Sequence, residues 1–468
     1  MRFRMFALLL GLITLAPWSP SATAEETKAE YPKLPSIRDL APTYIGTGHT
    51  QAKLIFEAIL EWPIQSATSP IPTESIIQQK IRTQLPYLIG PFHRSTQAAV
   101  YGDQTVKILS KERLAKRSLA GPGIRVRYLY EGTILLDQDI ASENGFEVLL
   151  PIQLEGIYEK QKKSGKSVCT EGKDSGIYYF FYHWDPRADD CNLELGTDFQ
   201  AIQADFQRSE NTTQTYPEYD RLVNDKGEID ISVFFGKAEY SRKILNPRTD
   251  TDWGARDFSS FTQMLRSKGY EVAVWDQSQI RKRAPSGEIP VVETYSRKFG
   301  KTTFRVTVFF GEVGLLHDSS AFHRFWEKAL EQNAVVIYQG HAGVGKNLHL
   351  GKIESSMGRN ITLPTDKYQL LILEACVSYS YYPRMYFARK KTAADPAGTR
   401  NLDILANGAE SLFGSNEIYS VAVMRMLEEW AAGVHTWSYQ ELVRNGRKDF
   451  LYGITGDEDN PTSPPLAP

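Results

Sequence analysis

Two short runs decide how this chain folds: Ala334–Gly345, AVVIYQGHAGVG, and Gln369–Ser378, QLLILEACVS. Each begins with consecutive apolar residues and shows no polar alternation. Such runs are too short for a core helix and read as strands buried on both faces. Each then ends in a reactive side chain, His341 in the first and Cys376 in the second. Moving outward, Ile229–Phe235 (IDISVFF), Glu271–Trp275 and Leu402–Leu405 read as further strands. Val291–Phe299 and Thr303–Phe310 read as a hairpin insertion. Asp257–Lys268, Ser319–Gln332, Ile418–Trp430 and Trp437–Asn445 read as helices. In the second of these, Phe322, Phe325, Trp326, Ala329 and Leu330 repeat at helical spacing behind a serine cap. The alternation predicts an α/β unit over residues 226–458, a parallel sheet with helices on both faces.

The preceding part, residues 41–225, has a mixed α+β pattern. Gln51–Glu61 and Glu74–Gln84 read as helices. Gly123–Tyr130, Thr133–Leu136, Phe146–Pro151 and the aromatic Gly176–His183 read as strands. The polar stretch Glu218–Glu228 marks the boundary. Asp185, Asp189 and Asp190 read as a solvated turn, because loop carboxylates alone do not converge on a cation. No metal or cofactor motif occurs elsewhere. The GVGK of Gly343–Lys346 lacks the spacing of a phosphate loop and its hydroxyl residue.

The two ends carry their own signals. Arg2 and Arg4 precede an apolar run from Met5 to Pro17, followed by Ala22-Thr23-Ala24. That order reads as a signal peptide over residues 1–24, cleaved after Ala24. Export to the periplasm or beyond follows, with a charged linker at 25–40. No cysteine follows the apolar run to carry a lipid, and no later run is long enough to cross a membrane. The prolines of residues 459–468 predict a disordered tail. With 41% hydrophobic and 24% charged residues and a net charge of −2, the composition is that of a globular protein and offers no basic surface for nucleic acid.

An oxidising compartment changes how the three cysteines are read. Cys169 and Cys191 lie close in the chain amid turn-rich sequence, so they are expected to pair. Loop closure of that size contributes about 3 kcal/mol. Cys376 is then the odd thiol, at the end of its strand.

In an open parallel sheet, functional side chains gather beyond the carboxyl ends of the strands. If the two deciding strands are neighbours, Cys376 and His341 meet there as nucleophile and base. The amides of Ala342, Gly343 and Cys376 would supply an oxyanion hole. Asp250, Asp252 and Asp276 are candidates to orient His341, and the sequence does not separate them. His349 is the other candidate base, placed in a loop. His317, His323 and His435 read as ordinary polar or capping positions. The basic run Arg389-Lys390-Lys391, extending to Arg400, reads as a solvated loop.

A hydrophobic strand ending in His-Gly, then a second ending in Ala-Cys or Gly-Cys, characterises the caspase, legumain, gingipain and clostripain peptidases. This chain resembles them over roughly residues 229–445, and most closely legumain at Glu374-Ala375-Cys376. It departs from the pattern at Ala342, where glycine is usual, and at Tyr379, Tyr381 and Tyr382, where legumain has smaller residues. The resemblance implies a caspase-like sandwich, a polypeptide substrate, no cofactor, and substrate contacts from Glu374 and Ser378. Glu374 reads equally as a charge held by the oxyanion-side loop. The chain as a whole also resembles a family of exported bacterial proteins, which implies no activity. The expected function is a cysteine endopeptidase. The alternatives are an inactive binding module on the same scaffold and acyl transfer at the same thiol.

Overall fold

The computed structural model describes residues 49–85, 87–88, 98–100, 105–117, 121–137, 146–154, 169–171, 183–188, 191–208, 214–240, 242–244, 246–315, 317–408, 411, 413–414, 417–445 and 451–468. The expected leader and linker, Asp189, Asp190 and most of the expected strand Gly176–His183 lie outside these residues.

Residues 51–61 form a strand, not the expected helix. β1 (His49–Pro63) buries Ala52, Leu54, Phe56, Ala58, Leu60 and Trp62, every second residue. That is the period of a pleated strand with one face on a core. α1 (Glu74–Gln84) forms where expected and buries Ile77 and Ile81. β2 (Ala98–Val100) and β3 (Thr105–Arg117) follow. The two strands expected at 123–136 are one, β4 (Gly121–Asp137), antiparallel to β1 along its length. With β5 (Phe146–Pro151) and β8 (Phe199–Arg208) the first sheet runs β2-β4-β1-β8-β5, and β3 also pairs with β4. Between them, β6 (Thr170–Glu171) and β7 (His183–Trp184) make a two-residue ladder. Cys169 and Cys191 are disulfide-bonded across 22 residues, as expected. Asp185 accepts the Arg187 amide in a local turn.

The second sheet is mixed rather than parallel. Its strands are β9 (Glu228–Gly236), β10 (Glu271–Val274), β11 (Val291–Phe299), β12 (Thr302–Gly311), β13 (Val335–Gln339), β14 (Gln369–Glu374), β15 (Leu402–Asn407) and β16 (Tyr452–Thr455). Their order is β10-β11-β12-β9-β13-β14-β15-β16. The five strands from β12 to β15 are mutually parallel. The expected hairpin insertion exists as β11 and β12, but β12 lies alongside β9 as part of the sheet. β10 and β16 make the antiparallel edges.

Consecutive residues of a strand face opposite sides, and β9 uses this to hold a helix on each. Phe234 packs against Phe322 and Trp326, at 5.7 and 5.1 Å between ring centres. Phe235 packs against Phe258 and Phe261, at 6.2 and 5.6 Å. The helices are α2 (Trp253–Ser267), α3 (Gln277–Arg283) and α4 (Ser320–Gln332), then α5 (Leu350–Met357), α6 (Ser378–Tyr381) and α7 (Pro383–Lys390), then α8 (Glu417–Ala431) and α9 (Tyr439–Asn445). α2 and α4 are thus on opposite faces. None of the described helices is long and apolar enough to cross a membrane.

Two further expectations are corrected. Arg389 and Lys390 end α7 rather than opening a solvated loop, and Lys390 is buried, donating to the carbonyls of Pro364 and Lys367 at 2.7 and 2.8 Å. The tail expected to be disordered is bonded in place. Trp430 donates to the Leu466 carbonyl at 3.1 Å, and the Tyr216 amide to the Pro461 carbonyl at 3.0 Å.

Candidate active site at two adjacent strand ends

β13 and β14 are parallel neighbours whose last paired residues are Gln339 and Glu374. The Gly340 amide donates to the Glu374 carbonyl at 3.2 Å, carrying the ladder one step further. Continuing that register places His341 opposite Cys376. The two residues expected to form a pair therefore leave the same sheet edge on adjacent strands.

The turn that follows Cys376 is abrupt. Val377 has φ 53°, and α6 begins at the next residue. A branched side chain in the left-handed region costs on the order of 1–3 kcal/mol, so surrounding bonds must hold it. Ser378 supplies them. Its hydroxyl donates to the Leu373 carbonyl and accepts the Asn407 amide at 2.9 Å, with the side chain fully enclosed. Ser378 therefore fixes the turn and has no surface to offer a substrate, contrary to expectation.

His341 is oriented by a backbone group. Its Nε2 lies 2.8 Å from the Ala238 carbonyl oxygen. A carbonyl only accepts, so Nε2 carries the proton and Nδ1 of the neutral ring keeps the lone pair. The ring packs on Tyr240 and on Phe413, each 4.8 Å away between centres. Of the three candidate carboxylates, Asp276 caps α3 on the surface, and Asp250 pairs with Arg242 at 2.9 Å. Asp252 caps α2 and accepts the amides of Ala238 and Glu239. His349 is the residue just before α5, and its Nδ1 is buried without a partner among the described residues.

The loop after His341 is pinned by side chains. The His341 carbonyl accepts from Tyr338 at 2.7 Å and from Asn347 at 2.8 Å. The Ala342 carbonyl accepts from Tyr382 at 2.9 Å and from the Asn347 amide at 3.1 Å. In a planar trans peptide the N–H points away from the C=O. Fixing these two carbonyls therefore aims the amides of Ala342 and Gly343 the other way, and among the described residues neither amide donates a hydrogen bond. Gly343 has φ 57°, and a Cβ there would lie 2.3 Å from Asn347 Oδ1. Only glycine fits.

The tyrosines after the cysteine build this loop. Tyr382 anchors Ala342, Tyr386 donates to the Leu348 carbonyl at 3.0 Å, and the Tyr381 ring packs on Gly345. Burial pushes the Tyr240 and Tyr381 phenols up to about 12, so both stay neutral at ordinary pH.

The thiol is covered. Cys376 is 7% exposed. Its Sγ donates to the Ser411 carbonyl at 3.6 Å and accepts the Ser411 amide at 3.5 Å. The Ser411 hydroxyl donates to Glu374 Oε1 at 2.9 Å, and Tyr452 donates to Oε2. Glu374, 1% exposed, thus holds the covering residue. The residues that hold Glu374 follow β15 or lie on β16, not on the oxyanion-side loop of its second sequence reading. Sequence reasoning did not single out Asn347, Ala238, Tyr240, Ser411 or Phe413. The last two follow β15, the strand beside β14, and the strand-end rule could have pointed to them.

Comparison with protein-family models, curated proteins and solved structures finds no match.

Proposed function

We propose that this chain is an exported cysteine-type endopeptidase, with Cys376 as nucleophile and His341 as general acid and base. One observation carries this reading: the strands that lead to the two residues, β13 and β14, are parallel neighbours in register as far as Gln339 and Glu374. Nδ1 of His341 takes the thiol proton, and the sulfur attacks a peptide carbonyl. The amides of Ala342, Gly343 and Cys376 hold the oxyanion. The imidazolium then protonates the leaving amine, and water hydrolyses the thioester with the same ring as base. A parallel sheet centre covered by helices on both faces supports the likeness to caspase- and legumain-type peptidases. Ser411 must leave the thiol before a polypeptide can reach it.

The covered thiol also favours a second reading, an inactive binding module on the same scaffold. Labelling with an iodoacetamide probe between about pH 5 and 8 separates the two. The peptidase reading expects Cys376 to label below pH 7, to lose that labelling in His341→Ala, and to cleave members of a peptide library. Cys376→Ala controls for other sites. A thiol that reacts only near the ordinary cysteine range of about 8.5, with or without His341, would favour the binding module.

A further inference from the structure

We propose that Asp252 is a positioning residue for the general base and acts through a single peptide group. The inference rests on the reading of His341 as base to Cys376. The Ala238 carbonyl and the Glu239 amide belong to one peptide plane, and they point in opposite directions. Asp252 Oδ2 accepts the Glu239 amide at 2.9 Å, while the carbonyl at the other side of that plane accepts His341 Nε2 at 2.8 Å. The carboxylate therefore grips the peptide from behind and aims its oxygen at the ring. Oδ1 accepts the amides of Ala238 and Ala255, at 3.2 and 3.0 Å.

Asp252 is itself held. It is 1% exposed, and its amide donates to Asp250 Oδ1 at 2.9 Å. Gly254, two residues on, lets the first turn of α2 press against the end of β9: a Cβ there would lie 1.9 Å from the Gly236 carbonyl oxygen. The acid, the peptide and the imidazole form one chain of hydrogen bonds, each polarising the next. The usual role of a third catalytic member is to hold the ring in the tautomer that leaves a lone pair for the nucleophile. Here that role passes through a backbone carbonyl, and among the described residues no carboxylate bonds the ring directly.

The test compares the mature protein with Asp252→Ser, Asp252→Asn, His341→Ala and Asp276→Ala. Serine keeps an oxygen for the Ala255 amide but is too short to hold Glu239 as well. Two readouts are taken: the pH dependence of Cys376 alkylation, and the 15N shifts of the His341 ring. Asp252→Ser is expected to slow alkylation near pH 6 about tenfold, a small part of the ~10²–10⁴-fold that general acid–base catalysis contributes. The rates should converge above about pH 8.5, where a thiol ionises unaided. The ring shifts should move away from the Nε2–H tautomer, and they read this even where reagent cannot reach the thiol. Asp252→Asn, which keeps both Oδ1 contacts, should show a smaller change of the same sign and serves if the serine variant does not fold. Asp276→Ala loses a helix cap far from the site and should change neither readout. Unaltered alkylation and ring shifts in both Asp252 variants would overturn the inference while a strong His341→Ala effect left the peptidase reading standing. No effect of His341→Ala would instead remove that reading.

Discussion

Tyr382 belongs to the buried tyrosine set that follows Cys376. Its ring is fully enclosed and its hydroxyl bonds the Ala342 carbonyl, on the peptide whose amide is one candidate oxyanion donor. Tyr382→Phe should remove about 1 kcal/mol of stability, the net value of one buried hydrogen bond. It should also lower turnover of any cleaved peptide without raising KM, because the loosened peptide plane matters most when the oxyanion forms. Equal loss in kcat and binding would instead mark the tyrosine as packing alone. At this scale the sequence told half the story. Cys376 and His341 stood out because reactive side chains end two apolar strands. The Ala238 carbonyl did not, because a backbone group has no residue type to read. Asp252 was legible only as one of three aspartates, since choosing it required knowing that α2 begins beside the end of β9.

The elements that cover and frame the site were read less well, for identifiable reasons. β1 contains Gln, Ala, Lys, Leu and Glu, all good helix formers, yet its apolar residues fall on every second position. Composition pointed to a helix, and the period, which tertiary pairing to β4 and β8 obeys, pointed to a strand. α7 was hidden by its charges. Pro383 starts it and Arg389 and Lys390 end it, where basic residues suit the helix carbonyl end. After β15, Ser411 closes over Cys376 and is tied down by Glu374. An intramolecular hydrogen bond contributes about 0.5–1.5 kcal/mol. Ser411→Ala should therefore free the thiol, raising Cys376 alkylation by up to about tenfold at constant pH. An unchanged rate would mean that Phe413 and the backbone contacts, rather than the Glu374 tie, keep the site shut.

Across the whole molecule, the two sheets each carry a core, and Leu135 of β4 packs into the core of the second. The chain's end contributes a third region, at the sheet edge opposite the candidate site. Asp403, in the first half of β15, is fully buried, and its Oδ2 accepts from Tyr368, Tyr439 and Asn460. Asn460 in turn donates to the Tyr216 carbonyl at 3.0 Å, and Thr215 to Asp457 at 2.6 Å. The prolines that suggested a free tail end a segment anchored through these acids. Burial pushes the Asp403 carboxyl well above the usual range, with the nearby Asp457 adding to it, while the three donors pull the other way. Asp457 is raised by its own burial. A raised carboxyl binds its proton in the folded state while the unfolded chain, near about pH 4, has lost it. The stabilising contribution is thus complete below about pH 4 and declines as pH rises toward the folded value. The slope is at most about 1.4 kcal/mol per pH unit for one group. Asp403→Asn keeps an acceptor for the three donors but does not titrate. The melting temperature of the parent relative to this variant should therefore rise steadily as pH falls from about 7 to 5. Lys390, lowered to about 7 by burial, acts in the other direction only above that window, so it does not confuse the comparison. A parent-to-variant difference that stays constant across the window would show that Asp403 is ionised in the fold and that its three donors, not its proton, carry the anchor.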